Sequence, residues 1–540
     1  MKKLCNTQQK NTRTNLKITS NENYKATVAK KLKRRLKNGD NREWLKNKHI
    51  AAMSVFLLNF DPVRELLENL YSGNNRGQTP QDPQAILRSL LLMHSLKETG
   101  ITKWVKETRS NSMLRLFCGF ADEKTPGVGT YYDFKKRLEN GVFTTKYQHI
   151  RALPSEIRIA RSKNCEQPRK SMPEDKTVVK EPVVKTRKEK IIASEQDPLP
   201  NDFETVLNQI LYLVAVAPSA DKGIINDINN LTTAIDGSTI ASGASYEGKR
   251  MCDCKQQGIY KCDCLRKFAD ADARWGFDNR EKTFVWGYRY LQMVCADNRH
   301  DLPIYLTIAP ANTHEPLMAI DAIDRFDKLS QKLKSSAKIA RASFDALFDQ
   351  YHFYLYLVHK KIKYVIPYAT QPKSPVVKGE LLLDDKGVPL CEGGLAMRRL
   401  GKNRQNREVF GCPVKRLARK DGGFHVVVHR EECPLAALCQ PDTKHGPIVS
   451  VPHDIDPRIH PEIRRGSKEY KQLSRMRSCT ERSNAFKKNV CGMNRRTTRS
   501  MSYAYIRLAL ISILEHSRVW ARKTFENIDL ANADWLAIFS

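Results

Sequence analysis

Residues 283 to 311 read TFVWGYRYLQMVCADNRHDLPIYLTIAPA. Two runs rich in β-branched and aromatic residues flank the turn-like DNRHD, a pattern that predicts two long strands joined as a pair. Upstream, LTTAID predicts a strand that closes at Asp236. A helix is expected near 316 to 335. Beyond it, KIARASFD, the helical QYHFYLYLVHKK and KYVIPYA predict a strand, a helix and a strand.

Strands in antiparallel array, followed by parallel strands with helices, describe a mixed α/β sheet of the ribonuclease H-like kind. That domain is expected over 202–540, opening with a helix over about 202 to 217. Between about 370 and 470 the order lapses into a segment rich in Gly, Pro, Cys and basic residues, read as an insertion. Helical texture returns from Glu469 to Asn489 and from about Thr498 to Lys523. The first 50 residues are polar and basic and are expected to be a flexible arm, with a short solvated helix as the alternative. From 51 to 150 the periodicity is helical, and Asp61-Pro62 and Asp82-Pro83 each place an N-cap before a proline. Short helices with exposed Lys and Arg suit a helix-turn-helix-like DNA-binding domain, and a generic helical bundle equally. Residues 151–201, rich in Lys, Glu, Pro and Val without a period, are expected to be a linker.

Lys and Arg outnumber Asp and Glu by 92 to 59 over 540 residues, a formal charge of +33. Such a surface gains affinity by releasing counterions from a polyanion, which points to nucleic acid. The N-terminal MKKLCNTQQKNTRTNLK has charge with no apolar run behind it. Apolar stretches such as ILYLVAVA fall short of the roughly 20 residues a bilayer needs, so a cytoplasmic, nucleoid-associated protein without a membrane partner is expected.

In that compartment thiols stay reduced, and clustered cysteines are metal-ligand candidates. CDCKQQGIYKCDC sets Cys252 and Cys254 against Cys262 and Cys264 across Gly258. Four thiolates so placed suit one structural zinc in a small lobe at 246–275; free thiols and redox chemistry are the alternatives. Cys391, Cys412, Cys433 and Cys439 form a second group in the insertion. His314 is read as a turn or core histidine.

Asp236 and Asp345 each close a predicted strand, where carboxylates converge on divalent cations or simply form turns. In YKQLSRMRSCTERSNAFKKN, a regular helix of about 100° per residue puts Arg477, Glu481, Asn484 and Lys488 on one polar stripe, with Phe486 opposite. A carboxylate flanked by cations suits a metal ion and a DNA backbone together; a surface laced with ion pairs reads the same way.

Arg477-x3-Glu481-x6-Lys488 resembles the signature of the DDE transposases of bacterial insertion sequences, in the branch marked by Tyr, Arg, Glu and Lys. The tyrosine position is Ser474 here, with Tyr470 one turn earlier. AIDGSTI resembles the family's first-aspartate strand. SFDALFDQ resembles its second, with Leu347 and Phe348 where many relatives carry Gly-Tyr. DPVRELLENLYS, ILRSLLLM and PGVGTYYDFKKRL resemble its N-terminal helical domain. The resemblance covers about 55 to 522. It implies Asp236, Asp345 and Glu481 as the catalytic carboxylates on two magnesium or manganese ions, with Arg477, Lys488 and Asn484 supporting DNA. The implied partners are double-stranded terminal repeats, target DNA and a second copy of the chain that pairs two ends. A zinc-stabilised DNA-binding protein without activity and a nuclease without joining activity are the alternatives.

Overall fold

The computed structural model describes residues 16–71, 79–121, 125–140, 157–159 and, apart from short breaks, 183–540. Most of the expected linker at 151–201 lies outside the described residues, and a helix, Val183–Ala193, occupies part of its end. The chain folds as two compact units. The first comprises Met1–Lys180, Ala193–Lys338 and Ser478–Ser540; the second comprises Glu181–Ile192 and Ile339–Arg477. The architecture is mixed α/β.

In the first unit, residues expected as a flexible arm are helical: α1 (Asn21–Arg35) and α2 (Gly39–Phe56). A one-sided apolar stripe explains this. Tyr24, Val28 and Leu32, four residues apart, are buried while Lys30, Lys33 and Arg34 stay at the surface. The Tyr24 hydroxyl donates to the Phe117 carbonyl at 2.8 Å, and the Arg88 guanidinium lies 3.8 Å over its ring. Next come α3 (Pro83–Ser95), α4 (Ile101–Ser110), α5 (Ser112–Cys118) and α6 (Val128–Asn140). Asp82 caps α3 ahead of Pro83, as the Asp-Pro pair predicts. The amide of Asn111 caps α5 through the N–H groups of Met113 and Leu114.

These helices gather on α12 (Met501–Phe525), which also packs against α7 (Phe203–Leu211) and the strand Pro303–Pro310. Such a helix must be apolar on most sides, and residues 504 to 517 are all buried. The segment Phe203–Asp221 is long and apolar enough by composition to cross a membrane, a length the sequence reading did not anticipate. Its most apolar window is 72% buried in this core.

One polar triad in the core is pH-sensitive. His516 Nε2 lies 2.9 Å from the Pro303 carbonyl and Nδ1 lies 2.8 Å from the Ser219 hydroxyl, which the Trp520 indole also reaches at 3.0 Å. A carbonyl only accepts, so Nε2 carries a proton, and in the neutral ring Nδ1 accepts from the Ser219 hydroxyl. Burial lowers its pKa from 6.5 to about 4. The unfolded chain therefore takes up the proton first as acid is added. Stability from neutral His516 is complete above about pH 6.5 and is lost as pH falls toward 4, by roughly 3 kcal/mol. Urea midpoints at pH 7 and 4.5 should show this fall, and H516Q should remove that share of it.

The sheet of this unit is antiparallel. It contains β1 (Leu231–Ala241), β2 (Arg274–Asp278), β3 (Thr283–Cys295) and β4 (Pro303–Pro310). β3 pairs with β1 on one edge; along the other it pairs first with β2 and then with β4. The register sets Asp236 opposite Gln292 and Ser238 opposite Tyr290. Asp236 therefore sits mid-strand, whereas the sequence reading ended the strand there. The misleading signal is Gly237. It is a point of close approach: a Cβ there would lie 2.7 Å from the carboxylate carbon of Glu315, at the start of α8 (Glu315–Lys332). Arg289 holds that carboxylate at 2.5 Å.

In the second unit, β5 (Ile339–Ser343) and β6 (Lys363–Val365) pair in parallel, with α9 (Tyr351–His359) between them in sequence. This is the predicted strand, helix and strand. The expected insertion forms small antiparallel sheets of its own, one with a core of Val388, Met397, Phe410 and Val451. α10 (Lys468–Met476) ends at Arg477.

Candidate active site

Asp236 is half-buried on β1. Its Oδ1 accepts from the Gly237 N–H at 2.9 Å, and its Oδ2 accepts from the Thr480 hydroxyl at 3.3 Å. Thr480 precedes Glu481 on α11 (Ser478–Ala485), so the first unit brings Asp236 together with the helix that bears Glu481. Glu481 itself is exposed.

The docking of α11 on the sheet is polar throughout. Thr480, Ser483, Asn484 and Lys487, spaced at i, i+3, i+4 and i+7, form its buried stripe. The Tyr290 hydroxyl donates to Asn484 Oδ1 at 2.6 Å, and the Gln292 amide donates to the same oxygen at 2.9 Å and to the Thr480 carbonyl at 3.2 Å. Lys487 is fully buried; its Nζ donates to Gln292 Oε1 and Ser483 Oγ, each at 2.7 Å, and to the Glu515 carboxylate of α12. Burial lowers the Lys487 pKa and raises that of Glu515, and each charge partly offsets the other's shift.

Two expectations change here. Asn484, read as supporting DNA, faces the sheet and anchors the helix. The stripe of Arg477, Glu481, Asn484 and Lys488 also assumed one regular helix. Instead α10 ends at Arg477, a new helix begins at Ser478, and Phe486–Val490 widens into a π-helical turn. Arg477 and Lys488 are both half-buried. Sequence reasoning missed Gln292, Lys487 and Glu515, because only their meeting in the fold marks them.

In the second unit, Asp345 is half-buried and caps a short turn by accepting from the Leu347 N–H at 2.9 Å. Phe344, Phe348 and Phe353, with ring centroids 5.0 to 5.2 Å apart, pin that turn. Asp349, four residues on, is engaged by Arg458 at 2.7 and 2.8 Å and by the Tyr354 hydroxyl at 2.8 Å. Burial alone would raise its pKa, but these donors hold it below the usual carboxylate value. Asp349 therefore has a structural partner set.

The four thiols of Cys252, Cys254, Cys262 and Cys264 lie within 4.8 Å of one another, with Cys252 to Cys262 and Cys254 to Cys264 at 3.6 Å. Gly258 makes the reversal between the pairs with φ +76°. A zinc ion with bonds of about 2.3 Å sets tetrahedral thiolates roughly 3.8 Å apart, so the cluster can hold one zinc. Elemental analysis of the purified chain should find zinc that C262S loses. Zinc retained by C262S would assign the metal elsewhere. In the insertion, the Cys439 thiol is pushed up by burial, then by Glu392 and the thiols of Cys412, Cys391 and Cys433, so that group also shares one neighbourhood.

No curated protein matches the chain. Residues 40–137, the stretch from α2 into α6, match the family model described as Transposase domain (DUF772).

Proposed function

We propose that this chain is a DDE-type DNA transposase, built on a ribonuclease H-like sheet, that cleaves the ends of an insertion sequence and joins them to target DNA. The chief support is the Thr480 contact, which ties Asp236 to the helix bearing Glu481 in the same compact unit as the transposase-like helices. Asp236, Asp345 and Glu481 would hold two magnesium or manganese ions. The donor set fits, since all three are carboxylates and hard divalent cations take oxygen ligands. Each is exposed or half-buried and so within reach of solvent.

When bound, such ions activate a water or DNA 3′-hydroxyl and stabilise the leaving oxygen of an in-line displacement. The chain's own contribution is orientation. The Gly237 N–H and Thr480 hydroxyl aim the Asp236 carboxylate, and the Gln292 network keeps α11 seated. Arg477 and Lys488 are assigned to backbone phosphates. The helices of 40–137 would bind the terminal repeats, with two copies of the chain pairing two ends.

The test is incubation of purified chain and magnesium with DNA carrying the inverted repeats that flank its coding region. Cut ends followed by a joined product support the proposal. Nicks without joined product indicate a nuclease, and DNA binding with no nicking in magnesium or manganese indicates an inactive binding protein.

A further inference from the structure

The cysteine lobe carries two features that a metal held by its four thiols would not explain. The first is aromatic. β2 and β3 pair Trp275 with Trp286 and Phe277 with Phe284, which puts four aromatic rings on one face of a two-stranded ribbon. Trp275 is 47% and Phe284 68% exposed, large values for side chains that ordinarily sit in cores. Tyr246 packs on Trp275 at 5.2 Å and Phe268 on Trp286 at 6.0 Å, so the ring row runs from the ribbon into the lobe.

The second feature is cationic. Three short strands, Ile157–Ile159, Leu265–Lys267 and Lys249–Arg250, form a small antiparallel sheet. Its register places Arg266 beside Arg250 and Lys249 opposite Lys267. Like charges directly opposite destabilise a sheet. Arg250 donates to the carbonyl of Tyr260 at 2.6 Å and Arg266 to that of Glu247 at 3.2 Å, which satisfies hydrogen atoms without neutralising charge. Lys249 and Lys267 are exposed.

We infer that this lobe and ribbon form a binding platform for unpaired DNA, with bases stacked on the Trp275 and Phe284 side and phosphates held by Lys249 and Lys267. An exposed ring offers a flat face, and base faces are open only where strands are unpaired; in a duplex they are covered by their neighbours. The cations select a polyanion over an apolar protein partner. The inference rests on the reading that the chain handles DNA, and adds which form of DNA this surface takes.

The test uses the full chain without magnesium, a fluorescein-labelled 20-mer of thymidine, and a fully paired duplex of equal length. W275A with F284A should weaken single-strand binding about ten- to hundredfold per stacked base lost, with duplex affinity held within about twofold. W275F should retain most of the affinity, and tryptophan fluorescence of the parent chain should quench on titration with the single strand. If the double alanine variant fails to fold, K249Q with K267Q serves, and should lower the salt slope of single-strand binding by about 1.4. Unchanged single-strand affinity in these variants would overturn the inference, as would a dimer in sedimentation that F284A dissociates with DNA binding intact. Cleavage is scored separately in magnesium. An uncut substrate with single-strand binding preserved would strike the proposed function, whereas cleavage with no aromatic dependence would strike the platform.

Discussion

Asp236→Asn protein is expected to bind DNA as the parent chain does and to cut it about a thousandfold more slowly or worse, because a lost cation ligand forfeits several kcal/mol of transition-state stabilisation. Asn keeps the shape of the side chain: its amide oxygen can still accept from the Gly237 N–H, and its NH2 can donate to the Thr480 hydroxyl oxygen. What it removes is the charge. Glu481→Gln should behave in the same way, and with greater clarity, since Glu481 is exposed and contributes little to the core. Gel-resolved cleavage in magnesium and then manganese reads both. Cutting at the parent rate by either variant would remove that residue from the proposed site.

Lys487→Met should cost roughly 3–5 kcal/mol of folding stability, because it leaves the Glu515 carboxylate buried without its cation. Gln292 Oε1 and Ser483 Oγ would also lose their donor. The double variant K487M/E515L should recover most of that loss, since replacing a buried pair by apolar residues is often neutral. Urea midpoints of the two single variants and the double complete the cycle. A double variant as unstable as the sum of the singles would mean the pair is not the source of the effect.

The sheet was legible because its signal is local: β-branched and aromatic runs on either side of DNRHD need no knowledge of the rest of the fold. The parallel pair at 339–343 and 363–365 was legible for the same reason. Failures came where one residue type carries two meanings. Gly237 reads as a turn, yet it is the place where Glu315 lies against the strand. Polar residues on a helix read as solvent-facing, yet Thr480, Ser483, Asn484 and Lys487 are the buried side of α11, because the strands beneath them offer Gln292 and Tyr290 from β3 and Asp236 from β1. The charge of 21–35 hid a stripe of three apolar residues that suffices to dock α1. A regular helix would set Glu481 and Lys488 on one stripe, but the π-helical turn at Phe486–Val490 changes the angle between them.

The burial of α12 has a thermodynamic consequence. Helices α2, α3 and α6 lean on the same helix that supports β4 and supplies Glu515 to the α11 network. Where a shared core melts as one cooperative step, free energy gained by any ligand on the N-terminal helices also protects the strand that carries Asp236. The proposed recognition and the proposed chemistry would then draw on a single unfolding equilibrium. DNA that is recognised would thereby hold together the part of the molecule proposed to cut it.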